Sequence, residues 1–159
     1  MFIPHFLRGP MPVQLNQTEL WQNLRVVNQL QEEEIEILEK LIEVLPSSED
    51  EVIDEWLGRL ERHTKHRFKD EETCMIRSGY PFLSEHWREH TLAMDRIRKA
   101  RADWEEDQNV LTLWNFLERD YFDWFMQHLV DFDFSTENHT KRNRKPRNKV
   151  QPQLELMNA

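Results

Sequence analysis

The strongest constraint on this chain is a set of apolar stripes at helical spacing, each interrupted by an ionisable residue where the pattern calls for core. From about Leu20 to Leu45, the residues Leu30, Ile37, Leu38, Leu41 and Leu45 share one helical face. Glu34 lies on the same face, four residues after Leu30 and four before Leu38. Asn16 with Glu19 reads as a capping start, and Pro46 as the stop. The segment "PSSEDEVIDEWLGRL" restarts a helix, with Ser48 as cap and Glu51 completing a capping box. Its stripe of Ile53, Trp56, Leu57 and Leu60 continues at the same spacing into His63, Arg67 and Glu71. In "SGYP", Gly79 ends this helix and Pro81 opens the next. A third helix, from about Phe82 to Trp104, carries His86 and His90 one turn apart. A fourth, from about Gln108 to Asp131, has the stripe Leu111, Trp114, Leu117, Tyr121 and Trp124, which steps on to His128. Asp133 follows five residues later.

Composition agrees with helices throughout. Glycine is scarce, at 3 residues, runs of β-branched residues are absent, and good helix formers dominate. The expected fold is all-α, an up-down-up-down four-helix bundle with short connections. Residues 1–15 read as an extended N-terminal arm, 16–136 as the bundle, and 137–159 as a basic, disordered tail. The tail holds six Lys or Arg and two Glu, leaving 15 basic and 28 acidic residues, a net −13, on the rest. An acidic body argues against nucleic acid as its partner, while the tail offers a contact for an acidic one. No uninterrupted apolar run is long enough to span a bilayer, and the single cysteine, Cys74, allows no intrachain disulfide. The expected compartment is the reducing cytoplasm.

One ionisable residue on an apolar stripe has an ordinary explanation as a hydrogen-bonded core group. Four helices that each aim a Glu, His or Asp at one bundle centre require more. Burying several carboxylates and imidazoles without a counter-charge is costly, and a bound cation offsets that cost.

The segments "RFKDEETCM", "SGYPFLSEHWREH" and "WFMQHLVDFD" together resemble the hemerythrin family, over roughly residues 30 to 135. The family pattern is HFxxEE, then GYP, then HxxxH, then a last-helix His with an Asp five residues on. The resemblance implies a non-heme di-iron centre in a four-helix bundle, in a bacterial-type protein that binds, senses or stores dioxygen. It assigns His86, His90 and His128 to one iron, and Glu71 and Asp133 as carboxylates bridging two. The second iron's two histidines correspond to Glu34 and Arg67 here, and both are departures.

Arginine cannot ligate a cation. Two arrangements follow. In one, Arg67 takes the second metal's place and pairs with Glu34, leaving a mononuclear site. In the other, Glu34 and His63 become ligands of a rebuilt second site, with Arg67 beside it. Tyr121, near His128, is placed with Arg67 as a neighbour of the ligands. The expected cofactor is iron, one or two ions per chain, with manganese and zinc also suited to the donor set. The expected partner is dioxygen or a related small diatomic. Three functional readings stand: a dioxygen- or redox-responsive metal protein, an oxygen-activating metalloenzyme using the added carboxylate, and a metal-free interaction module.

Overall fold

The computed structural model describes residues 28–143. Helix α1 spans Gln29–Val44, α2 Asp50–Ser78 and α3 Leu83–Asp107. The fourth helix runs without a break as α4 (Val110–Asn115), a π segment π1 (Phe116–Tyr121), α5 (Phe122–His128), a second π segment π2 (Leu129–Asp133) and α6 (Phe134–Arg142). The connections at 45–49, 79–82 and 108–109 are short, so consecutive helices lie antiparallel, in the expected up-down-up-down order.

Local signals set most of these boundaries. Asn28 caps α1 by accepting the Gln31 N–H at 3.1 Å, and the Gln31 side chain accepts the Asn28 N–H at 2.9 Å. The extended backbone of Asn28 starts the described helix at Gln29, and the part of the expected segment before it, from Leu20, lies outside the described residues together with the Asn16–Glu19 cap. Ser48 does not cap α2. Glu49 occupies the N-cap with no side-chain bond, and Asp50 and Glu51 complement the helix dipole from the first turn instead. Gly79, at φ 64°, ends α2 in the left-handed conformation, and the following Tyr80 N–H bonds back to Met75 O at 3.0 Å.

The helices close around Leu38, Leu41, Leu57, Leu60, Ile97, Leu117 and Tyr121, all buried. The fourth helix departs from the expected stripe. Leu111 is 59% exposed, and one row of buried positions, Leu113, Leu117, Tyr121, Phe125, Leu129 and Asp133, steps by four, with His128 and Thr136 buried beside it. At 3.6 residues per turn, a step of four overshoots by about 40°, so five steps would drift by roughly 200°. The two π segments, with hydrogen bonds spanning five residues, take more residues per turn and cancel that drift. Past Asp133 the helix continues to Arg142, so the segment read as a disordered tail from residue 137 is helical over its first six residues.

Candidate metal centre

The centre forms where the four helices converge. Helix α3 supplies His86 and His90, α2 supplies Glu71, and the fourth helix supplies His128 and Asp133. One donor atom from each of these five residues lies within 4.8 Å of every other. His86 Nε2 and His128 Nε2 are 3.0 Å apart, and each is 3.0 Å from Asp133 Oδ1. His90 Nε2 is 3.1 Å from Glu71 Oε2. His128 and Asp133 are five apart in sequence, and π2 between them brings both to the same side.

The outer nitrogens of two histidines are already committed. His90 Nδ1 is 3.0 Å from Glu72 Oε1, a carboxylate that can only accept, so Nδ1 carries the proton and the Nε2 lone pair points inward. His86 Nδ1 is 2.9 Å from Thr136 Oγ1, whose own proton goes to Met75 Sδ, which gives His86 the same tautomer. The rings are held from their faces: Phe68 stacks on His90 at 3.8 Å, and Trp124 and Phe132 stack on His128 at 4.7 and 5.2 Å.

On the other side of the two bridging carboxylates lies Arg67, fully buried. Its Nε and Nη2 reach the two oxygens of Glu34 at 2.7 and 3.3 Å. Its Nη1 reaches Glu71 Oε1 at 2.8 Å and Asp133 Oδ2 at 3.4 Å. Tyr121 donates to Glu34 Oε1 at 2.5 Å, and Gln31 Nε2 donates to Asp133 Oδ2 at 2.9 Å. Burial opposes the charge on Arg67, but Glu34, Glu71 and Asp133 outweigh it and raise its pKa well above the ordinary value. Burial, reinforced by Glu34, pushes the Tyr121 hydroxyl well up, so it stays a neutral donor. Asp133 is held well below the usual carboxylate range: burial opposes this, but His128, His86 and Arg67 prevail. Burial lowers His128. His90 moves the other way, because Glu71 and Glu72 overcome its burial.

These residues fit one metal ion. Glu71 Oε2, His90 Nε2 and Asp133 Oδ1 are buried without a hydrogen-bond partner, which is costly unless a cation takes their lone pairs. Neighbouring ligands of an ion, at bond lengths of about 2.1 Å and right angles, lie about 3.0 Å apart. The separations of 3.0 to 3.1 Å around the His cluster match that spacing. The guanidinium of Arg67 lies between Glu34, Glu71 and Asp133.

Of the residues singled out in the sequence, the structure thus brings together His86, His90, His128, Glu71 and Asp133. Glu34 is at the core, but as the partner of Arg67 and Tyr121 rather than as a member of the cluster. His63 faces elsewhere: its Nε2 bonds the Leu30 carbonyl at 2.7 Å and its Nδ1 lies 3.8 Å from Glu33. One turn before Arg67 places it on the α1–α2 seam, short of the centre. Tyr121 sits against Glu34 and Thr64, not against the cluster. Three positioning residues escaped the sequence reading. Glu72, the second acid of "DEET", was legible as a neighbour of Glu71. Gln31 lies one turn before Glu34. Thr136 becomes visible only once the last helix is known to run past Asp131.

The family model described as hemerythrin HHE cation binding domain matches residues 20–134. No curated protein and no solved structure matches the chain.

Proposed function

The chain belongs to the hemerythrin HHE cation-binding family, and from that premise we propose that it is a non-heme iron protein responding to dioxygen or to redox state. The observation that carries this reading is the cluster of three imidazoles and two carboxylates, with lone pairs left unpaired in a buried centre. Three nitrogens and two hard oxygens suit iron, and the set also accepts manganese or zinc. When bound, the ion supplies a redox couple and an electrophilic centre for a small ligand.

The chain's own residues do the rest. His86, His90 and His128 would hold the ion, with Thr136 and Glu72 keeping two of the rings in the ligating tautomer. Glu71 and Asp133 would supply the carboxylate charge that neutralises it. Phe68, Phe132 and Trp124 wall the imidazoles with apolar rings, which favours a small neutral diatomic over a bulky organic substrate. The oxygen-activating enzyme depended on Glu34 as an added ligand, and Glu34 is committed to Arg67 and Tyr121.

The test is spectroscopic. Protein loaded with ferrous iron under anaerobic conditions should change its absorption on exposure to air and return on reduction. His128→Ala and Asp133→Asn should lose both the iron and the response. An iron-loaded protein with no spectral response to oxygen or to chemical oxidants would sink the sensing role.

A further inference from the structure

The division of oxygens among the buried carboxylates carries a statement about how many ions the centre takes. Glu71 gives Oε2 to the His side and Oε1 to Arg67 Nη1 at 2.8 Å. Asp133 gives Oδ1 to the His side, while its Oδ2 accepts from Gln31 at 2.9 Å and from Arg67 at 3.4 Å. Both carboxylates therefore bridge two cationic places, one among the imidazoles and one filled by the guanidinium. Glu34 completes the second place, with both oxygens on Arg67 and one also on Tyr121.

Building on the metal reading above, we infer that this centre takes a single metal ion per chain, and that the Arg67 guanidinium permanently occupies the position of a second. Arginine has no lone pair to offer a metal and stays protonated, so it excludes an ion by charge as well as by volume. Its planar fork matches Glu34 in a two-point grip, which an ion would have to break. Its aromatic neighbours fix it further: the guanidinium carbon lies 4.7 Å from the Phe68 ring centre and 5.2 Å from that of Phe125. Among the described residues, no imidazole is turned toward this half of the centre. His63 is tied to the Leu30 carbonyl and His66 is exposed.

Charge leads to the same count. Glu34, Glu71 and Asp133 bring three negative charges into the interior, and Arg67 returns one positive. Leaving aside Glu72, whose side chain is 25% exposed and so screened by solvent, two negative charges remain, which neutral imidazoles cannot cancel and which one divalent ion does. A second divalent ion beside Arg67 would leave the buried centre with an excess of positive charge.

The functional consequence is a restriction. With one ion per chain, taking up dioxygen by a transfer of one electron from each of two metals would be closed to this chain. A one-electron redox response, or the binding of a small ligand at one ion, stays open.

Elemental analysis of the full-length protein after iron loading and desalting tests the inference, in wild type and in Arg67→His. Near one iron per wild-type chain, rising toward two in folded Arg67→His, is the expected pair of results. Near two in wild type overturns the inference while leaving the iron reading intact. One iron in both, with the variant folded by circular dichroism, removes Arg67 as the cause and overturns its role. Should Arg67→His fail to fold, the wild-type count decides alone, one for the inference and two against it. No retained metal in wild type refutes both the inference and the iron reading.

Discussion

Arg67 is the residue on which the interior balances. It is fully buried and holds three carboxylates, so its partners are expected to matter more as a set than one by one. Removing one side of a buried ion pair strands the other, at a cost of about 3–5 kcal/mol. Glu34→Ala should lower the unfolding free energy by that order in denaturant titrations. Glu34→Ala combined with Arg67→Met should cost clearly less than the two single changes added, since neither then leaves the other unpaired, while Glu71 and Asp133 lose Arg67 in the double variant just as in Arg67→Met alone. Strict additivity would mean that the pair is not coupled. Tyr121→Phe removes one hydrogen bond to a charged acceptor and should cost about 2 kcal/mol with the iron count unchanged.

The histidines bring a pH dependence with opposite signs for metal and for fold. His90, raised above its ordinary 6.5 despite burial by Glu71 and Glu72, must shed a proton to ligate. Iron affinity should therefore fall as pH drops through that raised value, with proton uptake on release. In the metal-free protein, charged His90 beside its carboxylates stabilises the fold. That stabilisation is full below the unfolded pKa and is lost as pH rises through the folded one. Iron affinity measured by competition across pH 5 to 9 checks the first sign, and affinity independent of pH would contradict it.

Among the elements, the fourth helix joins the chemistry to the fold. Its π2 segment lies between His128 and Asp133, and α6 beyond it carries Thr136, which orients His86. The same α6 reaches back to the turn before α3: His139 bonds the Ser78 carbonyl at 3.0 Å, and Tyr80 donates to Ser135 at 3.1 Å. A π turn has strained hydrogen bonding and persists where something holds it, here a shared ligand position. Iron removal should speed amide exchange through Leu129–Asp133 and Phe134–Arg142 more than in the half of the bundle around Trp104, which the Asp54 bond ties down at 2.8 Å. Uniform acceleration across the molecule would argue against this local coupling. At the α2 terminus, Gly79→Ala should cost about 1–2 kcal/mol from the left-handed backbone alone, because a Cβ there meets nothing within 4 Å.

At the scale of the whole molecule, the sequence carried the four helices of the described residues and their order, because the stripes, Pro46 and Gly79 are local signals that tertiary packing did not override. The five clustering residues came with the family resemblance, since only His86 and His90 among them stand one turn apart and Asp133 stands five after His128. The stripe of the fourth helix is legible at Leu117, Tyr121 and His128, which are buried, but not at its start, where the expected stripe places Leu111 inward and the structure buries Leu113. The row stepping by four from Leu113 to Asp133 departs from α-helical periodicity, and the π segments reconcile it. The choice between Glu34 as a ligand and Glu34 as a counter-ion was equally hidden. It depends on which way a buried side chain turns between two partners, and spacing along one helix does not encode that. His63 looked available for the same reason. It shares a face with Arg67 but sits one turn higher, where the Leu30 carbonyl takes its proton.

An anomalous difference map at the iron edge, from crystals of the iron-loaded chain, would locate every metal ion directly. The expected result is one peak per chain, within bonding distance of His86, His90 and His128, with Arg67 seated between Glu34, Glu71 and Asp133. A second peak at the place of the guanidinium, with Arg67 displaced, would contradict the single-ion centre. A lone peak away from the three histidines would contradict the assignment of the site itself.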